Sequence, residues 1–478
     1  MRGRLKAWRW QAWALAAILA AGAFLRLFRL GSESLWVDEA YSLSVARESL
    51  GEILLHHDNT PPLYNLVLHL WIGVAGTSEW ALRLPSAAFG TAAVALTFPV
   101  ARRIAGERAA LVATALHAAS FYLWSTGQEA RAYALTILLA VASFHFFLRL
   151  VERRSGRDAV AYVAVSALLL YSHVLGILWL AAQALHLALV AGPEAPRGRM
   201  FGAQAAAVAC FLPWTPILLR QAPGVVGDFW RAPANLDGLL ATAVWLAGSK
   251  WLAAALGSLL AGAVVALRVW RRPAGGPELQ RWRNLWLALL WLGVPVAGLF
   301  AVGLVVHIYR PKYLLASAVP LYVLAAWALL LVRPRLARAG ASVVLAALLL
   351  APVVIYHTGQ EPAMHRDDWR GVVRDLDSVA HHGDLVVFNR GVCDGSGGDR
   401  LCPFHYYTNR SDLRLAPLDD PARLAALVAN ESRVWLVQGF FSDGDRVLPG
   451  LAGNFTLVAD HQHPGVRVRG FERSAGRA

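Results

Sequence analysis

The stretch WRWQAWALAAILAAGAFLRLF, residues 8–28, decides the fold class, because it is an apolar run long enough to cross a membrane. About 20 helical residues span the ~30 Å hydrocarbon core of a bilayer. The run is too long for the apolar part of a secretion signal and lacks a small-residue cleavage site, so it is interpreted as a retained first helix. Of the 478 residues, 57% are hydrophobic and only 16% are charged. This composition excludes a water-soluble enzyme and leaves a transporter, a channel or a membrane-embedded enzyme.

Similar runs recur along the chain and predict an all-α polytopic domain of about eleven transmembrane helices. They lie at 10–30, 84–101, 109–126, 132–149, 159–171, 175–191, 201–219, 251–269, 285–306, 313–332 and 341–356. Arginine clusters fall on alternate connections, and the positive-inside rule assigns these to the cytoplasm. We interpret the net charge of +14 in this way and expect no nucleic-acid partner. The shorter run at 61–76 is predicted to be a juxtamembrane helix in the outer leaflet.

The character of the sequence changes after residue 356. Charged residues become frequent, and strand-like runs at 384–388, 433–437 and 455–459 alternate with helical stretches. This alternation is typical of a small α/β domain. Residues 1–356 are therefore predicted to form the membrane domain, and 357–478 an extracytoplasmic domain, since the number of crossings is odd. Cys393 and Cys402 could pair there if the compartment is oxidising.

Ionisable residues collect at the predicted outward ends of several helices, and both signs of charge are present. The set is Asp38, Glu39, His56, His57, Asp58, Arg83, Glu129, Arg131, His173, Arg310 and Lys312. Ionisable groups at membrane depth are costly and tend to mark function. The set predicts an acid-plus-phosphate site in a single cavity that opens away from the cytosol.

Each of these residues also has a purely structural interpretation. Asp38 and Glu39 suit the N-terminus of a short helix, where acids are stabilising. The others could be interfacial or solvated side chains, since arginine and lysine extend readily to the membrane surface. The histidine pairs at 56–57 and 381–382 lack a third ligand at a suitable spacing, so no zinc site is predicted.

Several short motifs together resemble the GT-C superfamily of membrane glycosyltransferases. The acidic pair in SLWVDEAYSL (34–43) is followed by PPLY (61–64), SEWALRLPSA (78–87), QEARAY (128–133), YSHVLG (171–176) and RPKYLL (310–315). The ordered set is similar to the protein O-mannosyltransferase and aminoarabinose transferase branch, of the dolichyl-phosphate-mannose type, over residues 10–330. The resemblance implies a GT-C-like domain that transfers a sugar from a polyprenyl-phosphate donor to an extracytoplasmic acceptor.

By this resemblance, Asp38 and Glu39 are the catalytic acids, with Asp38 as the general base. An acceptor hydroxyl that attacks an anomeric carbon loses a proton, and a positioned carboxylate that accepts it contributes roughly 10²–10⁴-fold. A single displacement inverts the anomeric centre and needs no carboxylate nucleophile. The leaving lipid phosphate needs cations, and the candidates are Arg83, Arg131 and Lys312.

Contacts to the sugar or head group are assigned to Asp58, Tyr64, Glu129 and His173. The segment before the double proline lacks the lysine or histidine typical of the two subfamilies, so the sequence does not identify the transferred sugar. The acceptor also stays open between a protein, a lipid glycan and a polysaccharide. No metal or other cofactor is indicated, although some superfamily members use a divalent metal. Richness in alanine, arginine and glycine indicates a bacterial inner membrane.

Two other function classes remain at this stage. A transporter or flippase for a lipid-linked sugar would carry ionisable residues near the membrane midplane, often in repeated halves. The ionisable residues here lie at helix ends and the sequence shows no repeat, which favours the enzyme. A glycan-binding module on a membrane anchor would need far fewer than eleven helices.

Overall fold

The structure, a computed structural model, describes residues 2–55, 60–228, 234–267, 275–359, 367–389, 402–418, 423–439, 451 and 454–474. The chain divides into two compact units. The helical unit comprises Met1–Phe28, Leu50–Val67 and Arg83–Val354. The sheet unit comprises Arg29–Ser49, Leu68–Leu82 and Ile355–Ala478.

Helices make up almost all of the described chain before residue 359. Their bounds are α1 (Arg2–Leu27), α2 (Val37–Ala46), α3 (Leu50–Leu55), α4 (Leu63–Ala75), α5 (Glu79–Ala105), α6 (Glu107–Ala119), α7 (Phe121–Ser125), α8 (Tyr133–Arg153), α9 (Gly156–Ser172), α10 (Gly176–Leu189), α11 (Arg197–Phe211), α12 (Thr215–Asp228), α13 (Leu236–Ala247), α14 (Lys250–Leu267), α15 (Gly276–Gly303), α16 (Ala318–Leu331) and α17 (Arg335–Thr358). Three 3₁₀ turns lie at Thr126–Gln128, Leu212–Trp214 and Pro311–Ser317.

Within the described residues, seven helical segments are long and apolar enough to cross a membrane, or eight if α13 and α14 form one bent span. In the part of the chain that the structure describes, each of the predicted runs lies largely in helix, which confirms the helical membrane architecture. The number eleven stays a prediction, because α6, α9 and α10 are shorter than the roughly 20 residues of a full crossing. The run at 61–76 forms the 13-residue helix α4, also too short to span.

Helix α13, which precedes α14 at an angle of 88°, was not among the predicted helices. Asn235 caps α13, since its side-chain oxygen accepts a hydrogen bond from the Gly238 N–H at 2.8 Å. Gly248 ends the helix with φ of 107°, a conformation that a residue with a Cβ rarely adopts. The chain therefore turns sharply where the sequence shows one long apolar stretch.

The centre of the helical unit is held by polar contacts between helices as well as by apolar packing. Tyr162 of α9 donates a hydrogen bond to Gln183 of α10 at 2.5 Å, and Gln183 donates to Ser143 of α8 at 3.0 Å. The rings of Phe144 on α8 and Trp291 on α15 stack with centroids 3.8 Å apart. Such contacts matter in a membrane, where apolar burial alone does not favour helix association over lipid contact.

The C-terminal part of the sheet unit is a five-stranded sheet with short helices. Its elements are α18 (Trp369–Val379), β1 (Leu385–Asn389), α19 (Phe404–Tyr407), β2 (Arg414–Leu418), α20 (Leu424–Leu427), β3 (Arg433–Gly439), β4 (Phe455–His463) and β5 (Val466–Arg473). The strand order is β2-β1-β3-β5-β4, and only the β1 pairings are parallel. The three predicted strands are confirmed as β1, β3 and β4. The prediction omitted β2 and β5, which contain a proline and four charged residues respectively.

Trp435 on β3 anchors one face of this sheet. Its ring is almost fully buried, and its indole N–H donates to Asp384 Oδ2 at 2.9 Å. On the neighbouring strand β5, a Cβ at Gly470 would lie 2.6 Å from the ring. Glycine is therefore required at this position for the indole to pack against the backbone. Cys402 is buried in the same apolar core, whereas Cys393 lies outside the described residues.

The sheet unit includes two stretches that lie far from its strands in sequence. Glu79 accepts hydrogen bonds from Arg370 at 2.5 Å and from the Tyr407 hydroxyl at 3.0 Å. The same Tyr407 oxygen accepts from the Leu35 N–H at 2.7 Å. These contacts fix the segment that carries α2 to residues of the C-terminal fold.

Asp367, just before α18, makes the stability of the sheet unit depend on pH. Burial raises the pKa of its carboxyl to about 6, above the ordinary value of about 3.9. The folded state thus binds more protons than the unfolded state between these values, and stability falls as pH rises from about 4 to 6. Asp367→Asn stays neutral, so we expect slower amide hydrogen exchange in β5 than in the wild type at pH 7.5, with no difference at pH 3.5.

The exposed Asp377→Asn on α18 is the matched control and should behave as the wild type at both values of pH. Equal exchange rates for Asp367→Asn and the wild type at pH 7.5 would show that the buried carboxyl carries no such penalty.

Candidate active site

The acidic pair lies in the first turn of α2, in the sheet unit. Glu39 is fully buried, and its carboxylate accepts a hydrogen bond from the Trp36 N–H at 3.5 Å, as in a capping box. Asp38 is half-buried, and its carbonyl oxygen accepts from the Ser42 hydroxyl at 3.0 Å. The structural role of a helix cap is thus filled by Glu39. Asp38 is the more exposed of the two acids.

In the helical unit, Lys312 lies beside Glu129 and Tyr133. The Lys312 ammonium donates to Glu129 Oε2 at 2.7 Å and lies 4.5 Å from the centroid of the Tyr133 ring. The lysine belongs to the 3₁₀ turn Pro311–Ser317, and Glu129 follows the turn Thr126–Gln128. Two motifs that are 183 residues apart therefore meet. A charged, partly buried pair against an aromatic face holds the ammonium in one place.

Tyr313 connects this pair to His173. Its ring stacks on Tyr133 at 6.5 Å between centroids and lies 5.2 Å from the His173 ring. Burial, together with the charge of Arg131, lowers the pKa of His173 to about 4, so the ring is neutral at physiological pH. The Leu175 N–H donates to Nδ1 at 3.2 Å, which places the proton of the neutral ring on Nε2. His173 can therefore donate a hydrogen bond to a hydroxyl but adds no positive charge.

Tyr64 and Arg131 are linked through Ser86. The hydroxyls of Tyr64 on α4 and Ser86 on α5 lie 2.9 Å apart, and the Ser86 hydroxyl also contacts the Arg131 carbonyl oxygen at 3.3 Å. Tyr64 is almost fully buried. Its observed contact thus positions the backbone of the QEARAY motif.

Gln128, at the start of the same motif, is a positioning residue that was not among the predicted site residues. Its side-chain amide donates to the carbonyl oxygens of Leu25 and Phe28 at 3.0 and 2.9 Å. These carbonyls lie at the C-terminal end of α1, where backbone carbonyl oxygens have no hydrogen-bond partner within the helix. The motif is thereby attached to the end of the first helix.

The two candidate arginines differ in exposure. Arg83 on α5 is fully buried in the helical unit, and Arg131 is partly buried. An arginine at membrane depth is costly unless its charge is used or compensated. Asp58 lies outside the described residues, as do His56 and His57.

The structure brings Glu129, Lys312 and His173 into one cluster with Tyr133 and Tyr313, two residues not predicted as site residues. Both tyrosines lie in the quoted motifs, next to or near a charged residue. An aromatic side chain in such a position is the sequence feature that could have identified them as site residues. Among the residues that the structure describes, no group of three or more histidine, cysteine, aspartate or glutamate side chains is arranged to hold a metal ion.

Comparison with solved structures identifies the fold. The crystal structure of ArnT from Cupriavidus metallidurans in the apo state superposes with a TM-score of 0.61 at 15% identity, covering 97% of this chain and 98% of that one. The chain has the GT-C fold. ArnT from the same organism bound to undecaprenyl phosphate gives a TM-score of 0.57 at 14% identity, with 95% and 97% of the two chains covered.

A second kind of solved structure has a similar fold, and one sequence family matches part of the chain. The archaeal oligosaccharyltransferase AglB from Archaeoglobus fulgidus, in complex with an inhibitory peptide and a dolichol-phosphate, gives a TM-score of 0.54 at 12% identity and covers 98% of this chain and 74% of that one. Residues 59–219 match the family of dolichyl-phosphate-mannose-protein mannosyltransferases. No curated protein sequence matches the chain. The apolar helices and the GT-C fold indicate an integral membrane protein.

Proposed function

We propose that the chain is a membrane glycosyltransferase that moves a sugar from a polyprenyl-phosphate donor to an extracytoplasmic acceptor. The observation that carries the proposal is the Lys312–Glu129 pair against Tyr133, in a fold that in ArnT has been seen with undecaprenyl phosphate. A half-buried ammonium on an aromatic face suits a lipid phosphate, whose sugar can stack on the same rings. The family match over 59–219 supports the same donor class.

In the proposed reaction, the acceptor oxygen attacks the anomeric carbon while Asp38 takes its proton. The bond between the anomeric carbon and the phosphate oxygen breaks, and its electron pair stays on the polyprenyl phosphate. Arg83, Arg131 and Lys312 stabilise the charge that grows on this leaving group. The single displacement inverts the anomeric centre, so the products are the glycoside and the free polyprenyl phosphate.

The remaining predicted residues bind the sugar. The neutral His173 offers an Nε2–H donor, and Glu129 offers carboxylate oxygens beside the lysine that it holds. Asp58 and Tyr64 complete the proposed set, with Tyr64 acting through the Ser86 contact. Glu39 supports Asp38 by fixing the first turn of α2.

The orientation is also a proposal. The arginine clusters on alternate connections favour a cytoplasmic location for those connections, which places the motif-bearing ends and residues 357–478 outside. Eleven crossings satisfy this arrangement. The bacterial inner membrane is the proposed location, with a hexose or pentose as the transferred sugar and a protein, lipid glycan or polysaccharide as the acceptor.

The experiment uses the purified chain in proteoliposomes with a panel of undecaprenyl-phosphate monosaccharides and mixed envelope acceptors. We expect one donor to be consumed, with undecaprenyl phosphate released in step with glycoside formation. A flippase would instead move the donor between leaflets without cleaving it. Donor binding without release of undecaprenyl phosphate, for every sugar in the panel, would contradict the proposed transfer.

A further inference from the structure

A cavity of about 330 Å³ lies in the helical unit, away from every residue of the candidate active site. It is bounded by α8, α10, α15 and the connection between α10 and α11. The polar residues that line it include Glu152, Arg154, His186, Glu194, Arg283 and Asn284. This end of the helices carries the arginine clusters that the positive-inside rule assigns to the cytoplasm.

Two side chains in the cavity wall are buried with unsatisfied polar atoms. Arg283 is 8% exposed and His186 is 5% exposed. Among the described residues, neither Arg283 Nε nor His186 Nδ1 has a hydrogen-bond partner. By contrast, the neighbouring Asn284 donates to the Arg103 carbonyl oxygen at 2.8 Å. Buried polar atoms without partners are rare because each costs free energy, so these two indicate a ligand that completes the site.

Positive charge exceeds negative charge around the cavity. Among the lining residues, Arg154 and Arg283 balance Glu152 and Glu194. The excess of positive charge comes from three arginines that bond to lining residues from outside the cavity: Arg103, Arg197 and Arg199. The carboxylates pair with Arg103 at 3.2 Å and with Arg283 at 2.5 Å. The guanidinium groups of Arg154, Arg197 and Arg199 donate to backbone carbonyl oxygens. The surroundings therefore favour an additional anion.

Glu194 marks the position that such an anion would take. Its side chain is 59% exposed, and it lies on the connection between α10 and α11, where it reaches in to pair with Arg283. The carboxylate end of this ion pair is open to solvent, so it can be hydrated when a ligand takes its place on the buried guanidinium. A phosphate offers the same guanidinium more acceptor oxygens and a similar geometry.

We propose that this cavity binds the phosphate group of an anionic phospholipid of the surrounding membrane, through Arg283 and Arg154, with displacement of Glu194. The lipid is favoured as the source because Phe147, Leu148 and Val151 line the same cavity and suit the apolar part of a lipid. Basic pockets between helices on the arginine-rich side of a membrane bind acidic head groups.

The test is native mass spectrometry of the detergent-purified chain titrated with phosphatidylglycerol, with phosphatidylcholine as the neutral comparison and inorganic phosphate as a competitor. We expect phosphatidylglycerol to bind preferentially and millimolar phosphate to compete weakly. Arg283→Gln should weaken phosphatidylglycerol binding by about tenfold, since it removes a charge-assisted contact. Glu194→Gln should strengthen it, since it removes the competing carboxylate; a folding defect would not produce this gain.

Arg335→Gln is the matched control, because it removes an exposed arginine at the start of α17, outside the cavity. It should bind phosphatidylglycerol as the wild type does. Equal binding of the two phospholipids, unchanged affinity in Arg283→Gln, or weaker binding in Glu194→Gln would overturn the proposal. Saturation by inorganic phosphate without any preference for phosphatidylglycerol would overturn the lipid as the source.

Discussion

Asp38→Asn is expected to slow sugar transfer by roughly 10²–10⁴-fold, the contribution of a positioned general base. The amide keeps the size of the carboxylate but cannot accept a proton at neutral pH. Because Glu39 supplies the capping contact of α2, the substitution should leave this helix folded. The measurement is the single-turnover rate of undecaprenyl-phosphate release in proteoliposomes, with the affinity for the donor determined separately.

Glu52→Gln is the matched control, since Glu52 is an exposed acid in the first turn of another short helix, α3. It should transfer sugar at the wild-type rate. The donor affinity separates chemistry from structure: Asp38→Asn should bind the donor as the wild type does while it transfers the sugar more slowly. Full activity of Asp38→Asn would remove Asp38 from the mechanism.

Lys312→Met is expected to raise the KM for the donor by roughly 10- to 100-fold, which corresponds to about 1.5–3 kcal/mol for a hydrogen bond to a charged group. Loss of the lysine also removes the ion-pair partner of the buried Glu129 carboxylate. The double variant Lys312→Met/Glu129→Gln avoids this, because it leaves no unpaired charge in the cluster. It should keep the raised KM and restore the thermal stability that the single variant loses.

Glu129→Gln alone discriminates between the two roles of the lysine. If Lys312 binds phosphate, Glu129→Gln should raise the donor KM less than Lys312→Met does, because the ammonium is kept and only the proposed sugar contact of Glu129 is weakened. If the pair were only structural, Glu129→Gln would raise the KM as much as Lys312→Met does. Lys250→Met is the matched control, since this lysine also lies over an aromatic ring, Trp251, at 5.3 Å, but outside the cluster. Its donor KM should equal that of the wild type.

Residues 84–101 show what local sequence can predict. Their length and apolar composition predict a membrane-spanning helix, and in the structure these residues belong to α5. The bent pair α13 and α14 shows what apolar composition does not predict, because the Asn235 cap and the Gly248 turn bound a helix within a stretch that stays mostly apolar. Hydrophobic length identifies a helix in lipid but is insensitive to a sharp turn whose backbone groups find partners within the protein.

The sheet presents the same contrast. The β-branched composition of β1 and β3 predicts that these segments are strands. The segment of β5 is rich in charged residues, and only the structure shows that its apolar side chains pack in the core. Glycine is needed at position 470 because the Trp435 ring of the neighbouring strand packs against its backbone. Strand pairing decides this, and pairing is not encoded in either strand alone.

The sequence by itself determined that the chain crosses a membrane, where most of its long apolar helices run, and which motifs carry its charged residues. The tertiary structure decided which of those residues touch: Lys312 with Glu129 and Tyr133, and Glu79 with Tyr407, 328 positions away. Helix periodicity and apolar length are local properties set by backbone hydrogen bonding and the lipid solvent. The partner of a charged side chain depends instead on how distant helices and strands pack together.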